Sequence, residues 1–521
     1  MLTSARSSAR RDTRRGDLTQ RASLTAIASL LDYGSKLAVG VLLTPLLVGS
    51  LGKSLFGTWE VLVRLVGYLS MADGRPMDAL RLVLGSRHES VDEETNRRTI
   101  GMAVGVWILC LPLMALGGAA IVWSAPLFVQ APAGLVLAVR VVSGLLVLNT
   151  VLLMTNALPE AVLFGVNQGY RRMGLVAATN VLGALLAAGA VSLGWGLTGL
   201  ATAQLTVTFI TGATFLALAR RYVPWFGVAR PAVAEMRWFA RLSGWSFAGD
   251  SLARLLLAGD VVILGMLAST TTVTGYVLTG YAAQAIVGVL TLALGAVVPG
   301  LAGVIGRQQF PQAAAIRAEM LSISWVAATA VGATILAWNE AFLQLWVGPG
   351  HYAGALSNLL LVLVMVQTTL IRSEAYVINS ALQLRARVLV SIPAAVLTCG
   401  LAVWLVPRYT IPGLCLSLLA GRLVQSIAYP VLVQSAIGGT ASSNWASLTR
   451  AALMTALLFL VSTVLGQRVV AANWVAWAFG AGASFLSALV IALYGGLAPE
   501  NRQQIVARLR VVLEQRITAT I

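Results

Sequence analysis

"GTWEVLVRLVGYLS", residues 57–70, lies inside an apolar run long enough to cross a membrane, yet it carries Glu60 and Arg64 near its middle. In hydrocarbon each such charge costs roughly 2.5–3.5 kcal/mol on insertion scales. The meaning of the pair therefore turns on whether the chain is a membrane protein. Of its 521 residues 58% are hydrophobic and 11% charged, where soluble domains carry about 25% charged residues. Hydropathy this high over the whole length excludes a soluble enzyme with one anchor. It predicts an all-α polytopic membrane protein.

Counting apolar runs of about twenty residues gives about fourteen transmembrane helices. They fall near 24–50, 55–74, 99–124, 133–158, 173–194, 197–219, 242–267, 273–304, 315–346, 353–383, 386–406, 412–435, 448–466 and 472–495. Loop charge tests the count. With a cytoplasmic N-terminus, the inside segments hold arginines throughout, from Arg10 and Arg11 through Arg97, Arg98, Arg220, Arg221, Arg385 and Arg387 to Arg450 and Arg502. The outside loops hold only Lys53, Arg408 and Arg468. One helix more or fewer would invert every later loop, so both termini are expected in the cytoplasm. The same rule accounts for the net charge of +17, carried almost wholly by Arg with Lys36 and Lys53 the sole lysines. It removes the case for nucleic acid as a partner.

The polar, basic insert 220–241 contains Pro224 and Pro231 and reads as a cytoplasmic linker. It separates two pseudo-symmetric six-helix lobes, 23–219 and 242–435, with two extra helices in 436–495. Residues 1–22 read as a disordered basic arm ahead of a retained first helix. Residues 496–521 read as a cytoplasmic tail whose 500–518 stretch is amphipathic, Ile505, Leu509, Val512 and Leu513 opposing Arg502, Arg508, Arg510 and Arg516. Such a stretch suits the inner leaflet or a plain solvated tail.

No chemistry on a substrate is legible. Cys110, Cys399 and Cys415 lie in apolar segments without close spacing, and His88 and His351 lie in loops. No HExxH, Walker loop or GxSxG occurs. The expectation is no catalytic residue, no metal and no cofactor: a chain that moves a substrate and is not an enzyme.

The acid–base spacing recurs. Glu60 and Arg64 are four apart, as are Asp32 and Lys36 in the first helix and Asp250 and Arg254 in the seventh. At i,i+4 both side chains face one way and can pair. At about 1.5 Å per residue, Lys36 and Arg254 lie roughly 18 Å from the inner ends of their helices and Arg64 roughly 14 Å from the outer end of its own. All three bases are near the midplane. Asp250 follows Asp32 by 218 residues, Arg254 follows Lys36 by 218, and Gly275 follows Gly57 by 218, an echo of the kind a duplicated transporter leaves. A lone pair could simply hold helices together; three at matched depth favour a water-filled cavity lined with base and acid. Arg422, in the twelfth helix, is also near mid-depth. Arg140, Asp260, Arg372 and Glu374 are nearer the interfaces, where snorkelling is cheap, and Asp73 and Asp78 read as structural. Arginine stays charged and binds phosphate bidentately. Lys36, Arg64, Arg254 and Arg422 are thus candidate binders of an anionic group such as a diphosphate. Asp32, Glu60 and Asp250 would keep the empty site near neutral or relay protons.

"LLTPLLVGSLGKSLFGTWEVLVRLVGYLSMADG", residues 42–74, resembles the start of bacterial polysaccharide flippases, the O-antigen and exopolysaccharide exporters of the multidrug/oligosaccharidyl-lipid/polysaccharide superfamily. Pro45, Leu51, Gly52, Phe56, Gly57, Asp73, Gly74 and Arg81 match that family's layout, and "PEAVLFGVNQGYRRMGLVAATNVLGALLAAG", 159–189, resembles its link between helices four and five. The resemblance implies a transporter that flips an undecaprenyl-diphosphate-linked oligosaccharide across a bacterial inner membrane by alternating access, for lipopolysaccharide or exopolysaccharide synthesis. Membrane lipid, a glycan polymerase and glycosyltransferases are the partners that role implies. Arg75 and Pro76 depart from the apolar continuation usual after the Asp-x-Gly stretch, which leaves the shape of that turn open. The rival readings are a multidrug cation antiporter of the same superfamily, a membrane glycan polymerase, and a scaffold with a degenerate transporter fold. Matched bases speak against the first, and short, nearly uncharged outside loops against the second.

Overall fold

A computed structural model describes residues 2–86, 92–166, 168, 174–438, 445–499 and 502–503. The amphipathic stretch expected at 500–518 therefore lies almost wholly outside the described residues. The described chain is helical throughout: α1 Leu2–Gly67, α2 Pro76–Ser86, α3 Glu93–Phe128, α4 Val136–Gly165, α5 Leu175–Ser192, α6 Gly196–Tyr222, α7 Val233–Leu267, α8 Thr270–Thr279, α9 Tyr281–Gly295, α10 Val298–Gly306, α11 Phe310–Trp346, α12 Ala355–Ser380, α13 Leu384–Ile437, α14 Trp445–Gly466 and α15 Trp474–Ile491. Ten described stretches are long and apolar enough to cross a membrane, eleven with α8–α9 taken as one span bent by 52°.

Two of these stretches each hold two spans. α1 breaks at Gly52 (φ 72°, ψ 169°), a conformation essentially reserved for glycine. α13 breaks at Thr410 (φ 50°, ψ −118°), between Pro407 and Pro412, where the prolines remove backbone donors and crowd the preceding turns. Splitting both raises eleven to thirteen, and the 35-residue α7 is the fourteenth. The protein is a multi-pass, all-α membrane protein with the helix count that hydropathy and loop charge predict. Residues 2–22, expected to be a disordered arm, continue α1 as helix. The stretch is rich in Ala, Arg, Leu and Gln and has no proline, so helix propensity opposes disorder there.

By internal contacts the chain divides into two compact units, Met1–Met266 and Leu267–Ile521. In the first, Leu80, Ile100, Val162 and Phe239 form a buried core. The basic segment after α6 is tied down: Arg97 Nε donates to the Trp225 carbonyl at 3.0 Å, and Ala229 N donates to the Arg97 carbonyl at 3.1 Å. The turn around Arg75 takes a definite shape. Gly74 and Arg75 both have positive φ, Asp73 Oδ1 accepts from the Arg75 amide at 2.9 Å, and Arg75 pairs with Asp78 at 3.0 Å. Pro76 then opens α2 at its first position, where a missing N–H costs nothing. Ser243 Oγ on α7 donates to the Gly74 carbonyl. Asp73 and Asp78 have the structural role expected of them.

In the second unit, Leu301, Ile378, Tyr429 and Val433 form one core and Ala330, Ala333, Val362, Met365 and Phe459 another. Small residues let these helices approach, as expected where lipid supplies no hydrophobic drive. α14 and α15 are fastened to α11: Trp338 Nε1 donates to Ser484 Oγ at 2.8 Å, and Phe342, Trp346, Trp474 and Trp477 stack together. Large apolar side chains point outward, among them Leu42 (78% exposed), Leu109 (76%) and Phe479 (77%). In water such surface would be a liability; in a bilayer it is the lipid contact.

Candidate functional site

The intramembrane charges of the first unit converge on Arg64. The helix after the Gly52 break carries Glu60 and Arg64 one turn apart. Arg64 Nε lies 3.7 Å from Glu60 Oε2, the pairing the four-residue spacing predicts. Its Nη1 lies 3.7 Å from Asp260 Oδ1 on α7. Three small contacts hold α7 there: Gly265 packs on Val61, Gln130 Nε2 donates to the Met266 carbonyl at 3.0 Å, and the Asp260 carboxylate accepts from the Val261 amide at 2.8 Å.

Both ion pairs are long for salt bridges and none of the partners is sealed. The Arg64, Glu60 and Asp260 side chains are 23%, 24% and 12% exposed. A guanidinium held loosely between two carboxylates keeps donors available for a third anion, and its five N–H groups exceed what two monodentate contacts use. Asp260, read from the sequence as an interfacial residue, is instead the second partner of Arg64. The sole sequence signal for it was an acid without an i±4 base in an apolar run.

The other candidates divide. Lys36 is exposed on α1 and makes no ion pair among the described residues, so the expected Asp32–Lys36 pairing does not form. Its flexible stem lets the ammonium reach polar surroundings away from the helix. One turn away on the same helix, Ser35 Oγ accepts from Asn180 Nδ2 at 2.9 Å, so α1 and α5 share a polar contact beside Lys36. Asp250 and Arg254 sit on α7, but their side chains lie outside the described residues. Arg422 belongs to the second unit, where its Nη1 donates to Thr368 Oγ1 at 2.5 Å. Arg140 stacks over Trp123 at 4.3 Å, an interfacial contact as expected. Among the described residues no three His, Cys, Asp or Glu side chains gather as a metal site.

No family model and no curated protein matches the sequence. Solved structures do. The fold is similar to that of the lipid II flippase MurJ in an inward closed conformation, at TM-score 0.67 and 9% identity over 90% of this chain and 97% of that one. It is also similar to an inward-facing multidrug resistance MATE family transporter of the MOP superfamily, at TM-score 0.58 and 16% identity over 82% of this chain and 100% of that one. A eukaryotic MATE transporter matches at TM-score 0.58 and 16% identity, over 80% and 95% of the two chains. The fold is that of the MOP exporter superfamily. At these identities the likeness concerns architecture, and Arg64 with its two acids has to be weighed on its own chemistry.

Proposed function

We propose that this MOP-fold chain flips a polyprenyl-diphosphate-linked oligosaccharide across the bacterial cytoplasmic membrane by alternating access, with both termini in the cytoplasm. In that reading residues 23–219 and 242–435 supply the two lobes and 220–241 the link between them. The observation that carries it is Arg64: a permanently charged, phosphate-compatible group deep in a span, held by Glu60 and Asp260 at 3.7 Å each. Diphosphate would displace the carboxylates from the guanidinium, and the carboxylates would recapture it after release. Glu60, Asp32 and Asp250 tune charge; Lys36, Arg254 and Arg422 are the further bases in this reading. No covalent step is involved. The likeness to a lipid II flippase structure supports a lipid-linked cargo, and the sequence resemblance to polysaccharide flippases supports a glycan one.

The test is flipping of a fluorescent polyprenyl-diphosphate oligosaccharide in proteoliposomes. Arg64→Ala is expected to abolish transport at wild-type expression. A variant that still flips cargo at the wild-type rate removes Arg64 from the mechanism.

A specific observation favours a second reading, the multidrug cation antiporter. With Asp260 included, the described trio holds two acids and one base. Asp260→Asn separates the readings. In a flippase it frees Arg64 and should tighten diphosphate binding several-fold; in an antiporter it should abolish proton- or sodium-driven export of organic cations.

A further inference from the structure

The second unit holds a group of arginines that the Arg64 reading does not use. On α12, Thr368, Arg372, Tyr376 and Asn379 follow one another at intervals of four, four and three residues, so they line one face of the helix over about 16 Å. Each is joined across to a neighbour. Arg372 Nη1 donates to Thr291 Oγ1 on α9 at 2.5 Å, and Tyr376 Oη donates to the Thr291 carbonyl at 3.1 Å. Asn379 Oδ1 accepts from Arg387 Nη1 at 2.8 Å, in the first half of α13. Thr368 Oγ1 accepts from Arg422 Nη1 at 2.5 Å, in the second half of α13. Arg372 lies within electrostatic reach of both Arg387 and Arg422.

We propose that Arg372, Arg387 and Arg422 form a binding site for a phosphate-type oxyanion on the polar face of α12, within the second unit. Arginine cannot shed its proton to relieve crowding, so gathered guanidinium groups in a half-buried place need an anion to offset them. The protein does not supply it: Arg372 and Arg387 make no ion pair among the described residues. The one acid between them in the α12 sequence, Glu374, faces away. It is buried, and Arg317 holds both its oxygens, at 2.8 and 2.5 Å. The partners the arginines do have are neutral hydroxyl and amide oxygens. Each of these orients a guanidinium without quenching its charge and occupies one of five donors. Orientation without neutralisation is the arrangement that leaves forked donors for a phosphate. Arg387 lies near the end of α12 that the loop charges place in the cytoplasm, and Arg422 is about 16 Å along. A headgroup entering from that side would meet the three in turn. The site stands whether or not the chain is a flippase.

A phosphate-type oxyanion can be a free solute or the headgroup of an anionic lipid, and two measurements on the full-length protein separate them. Isothermal titration with inorganic pyrophosphate reads the first. Native mass spectrometry from phosphatidylcholine nanodiscs doped with phosphatidic acid reads the second. One of the two ligands should bind wild type and Arg64→Ala alike and weaken at least tenfold in the double variant Arg372→Gln/Arg387→Gln. Arg387→Gln alone, which keeps an amide donor for Asn379, should weaken the same ligand about threefold and guards against a folding defect. Pyrophosphate lost in the double variant supports the site with a soluble source; phosphatidic acid lost there supports it with a lipid source. Retention of both by the folded double variant, or binding of neither by wild type, overturns it. Pyrophosphate lost only in Arg64→Ala also overturns it, while leaving the flippase reading intact.

Discussion

Two arginines show how setting decides the role of a charge. Arg317 is locked on Glu374, whose side chain is 7% exposed. Removing one partner strands a buried charge, so Arg317→Ala should destabilise the protein by about 3–5 kcal/mol. That loss should be read as a lower midpoint of thermal unfolding in detergent. Replacing both with Met and Leu should recover most of it, as paired apolar replacements often do. Arg64 differs: its two acids are partly open and 3.7 Å away, so Arg64→Ala should cost about 1 kcal/mol or less while transport is lost. The Glu60–Arg64 pair was legible because a four-residue spacing on a helix is local. Asp260 and Glu374 were not, because their partners lie on helices far away in sequence, and no periodicity reports which acid a distant arginine will meet. Asp32–Lys36 has the same spacing as Glu60–Arg64 without the pairing, so spacing permits a pair and surroundings decide it.

Helix breaks set where these side chains stand. Gly52 adopts φ 72°, ψ 169° at the junction of the first two spans, and a Cβ there meets strain although no atom crowds it within 4 Å. Gly52→Ala is expected to cost roughly 1–3 kcal/mol, with flipping reduced alongside, because the break sets the direction of the helix carrying Arg64. Wild-type thermal stability in that variant would show that the junction relaxes without glycine. The loose "LG…FG" motif thus marks a real backbone feature. The Arg75-Pro76 departure, whose effect the sequence left open, proves to be a positive-φ turn closed by Asp73 and Asp78. The α12 face was written in the sequence at helical spacing. It could not be told from snorkelling arginines until Thr291, Arg387 and Arg422 were seen to meet it.

At the scale of the molecule, hydropathy and the arginine bias sufficed for the architecture, because a bilayer tests every twenty-residue segment alike and each inside loop constrains the next. They also predict a topology. In a cysteine-free background, a cysteine at Gly350 should react with a membrane-impermeant maleimide added to intact cells, and one at Gly227 should react only after lysis. Labelling of Gly227→Cys in intact cells would invert the orientation and the direction of transport with it. Cargo is what architecture does not encode, since the same fold serves a lipid II flippase and multidrug transporters. The most direct measurement is native mass spectrometry of the gently solubilised protein beside Arg64→Ala. A bound mass matching a polyprenyl-diphosphate glycan, present in wild type and absent from the variant, is the expected result. Bulk phospholipid alone on both proteins would contradict the flippase reading and move the function to the cation antiporter.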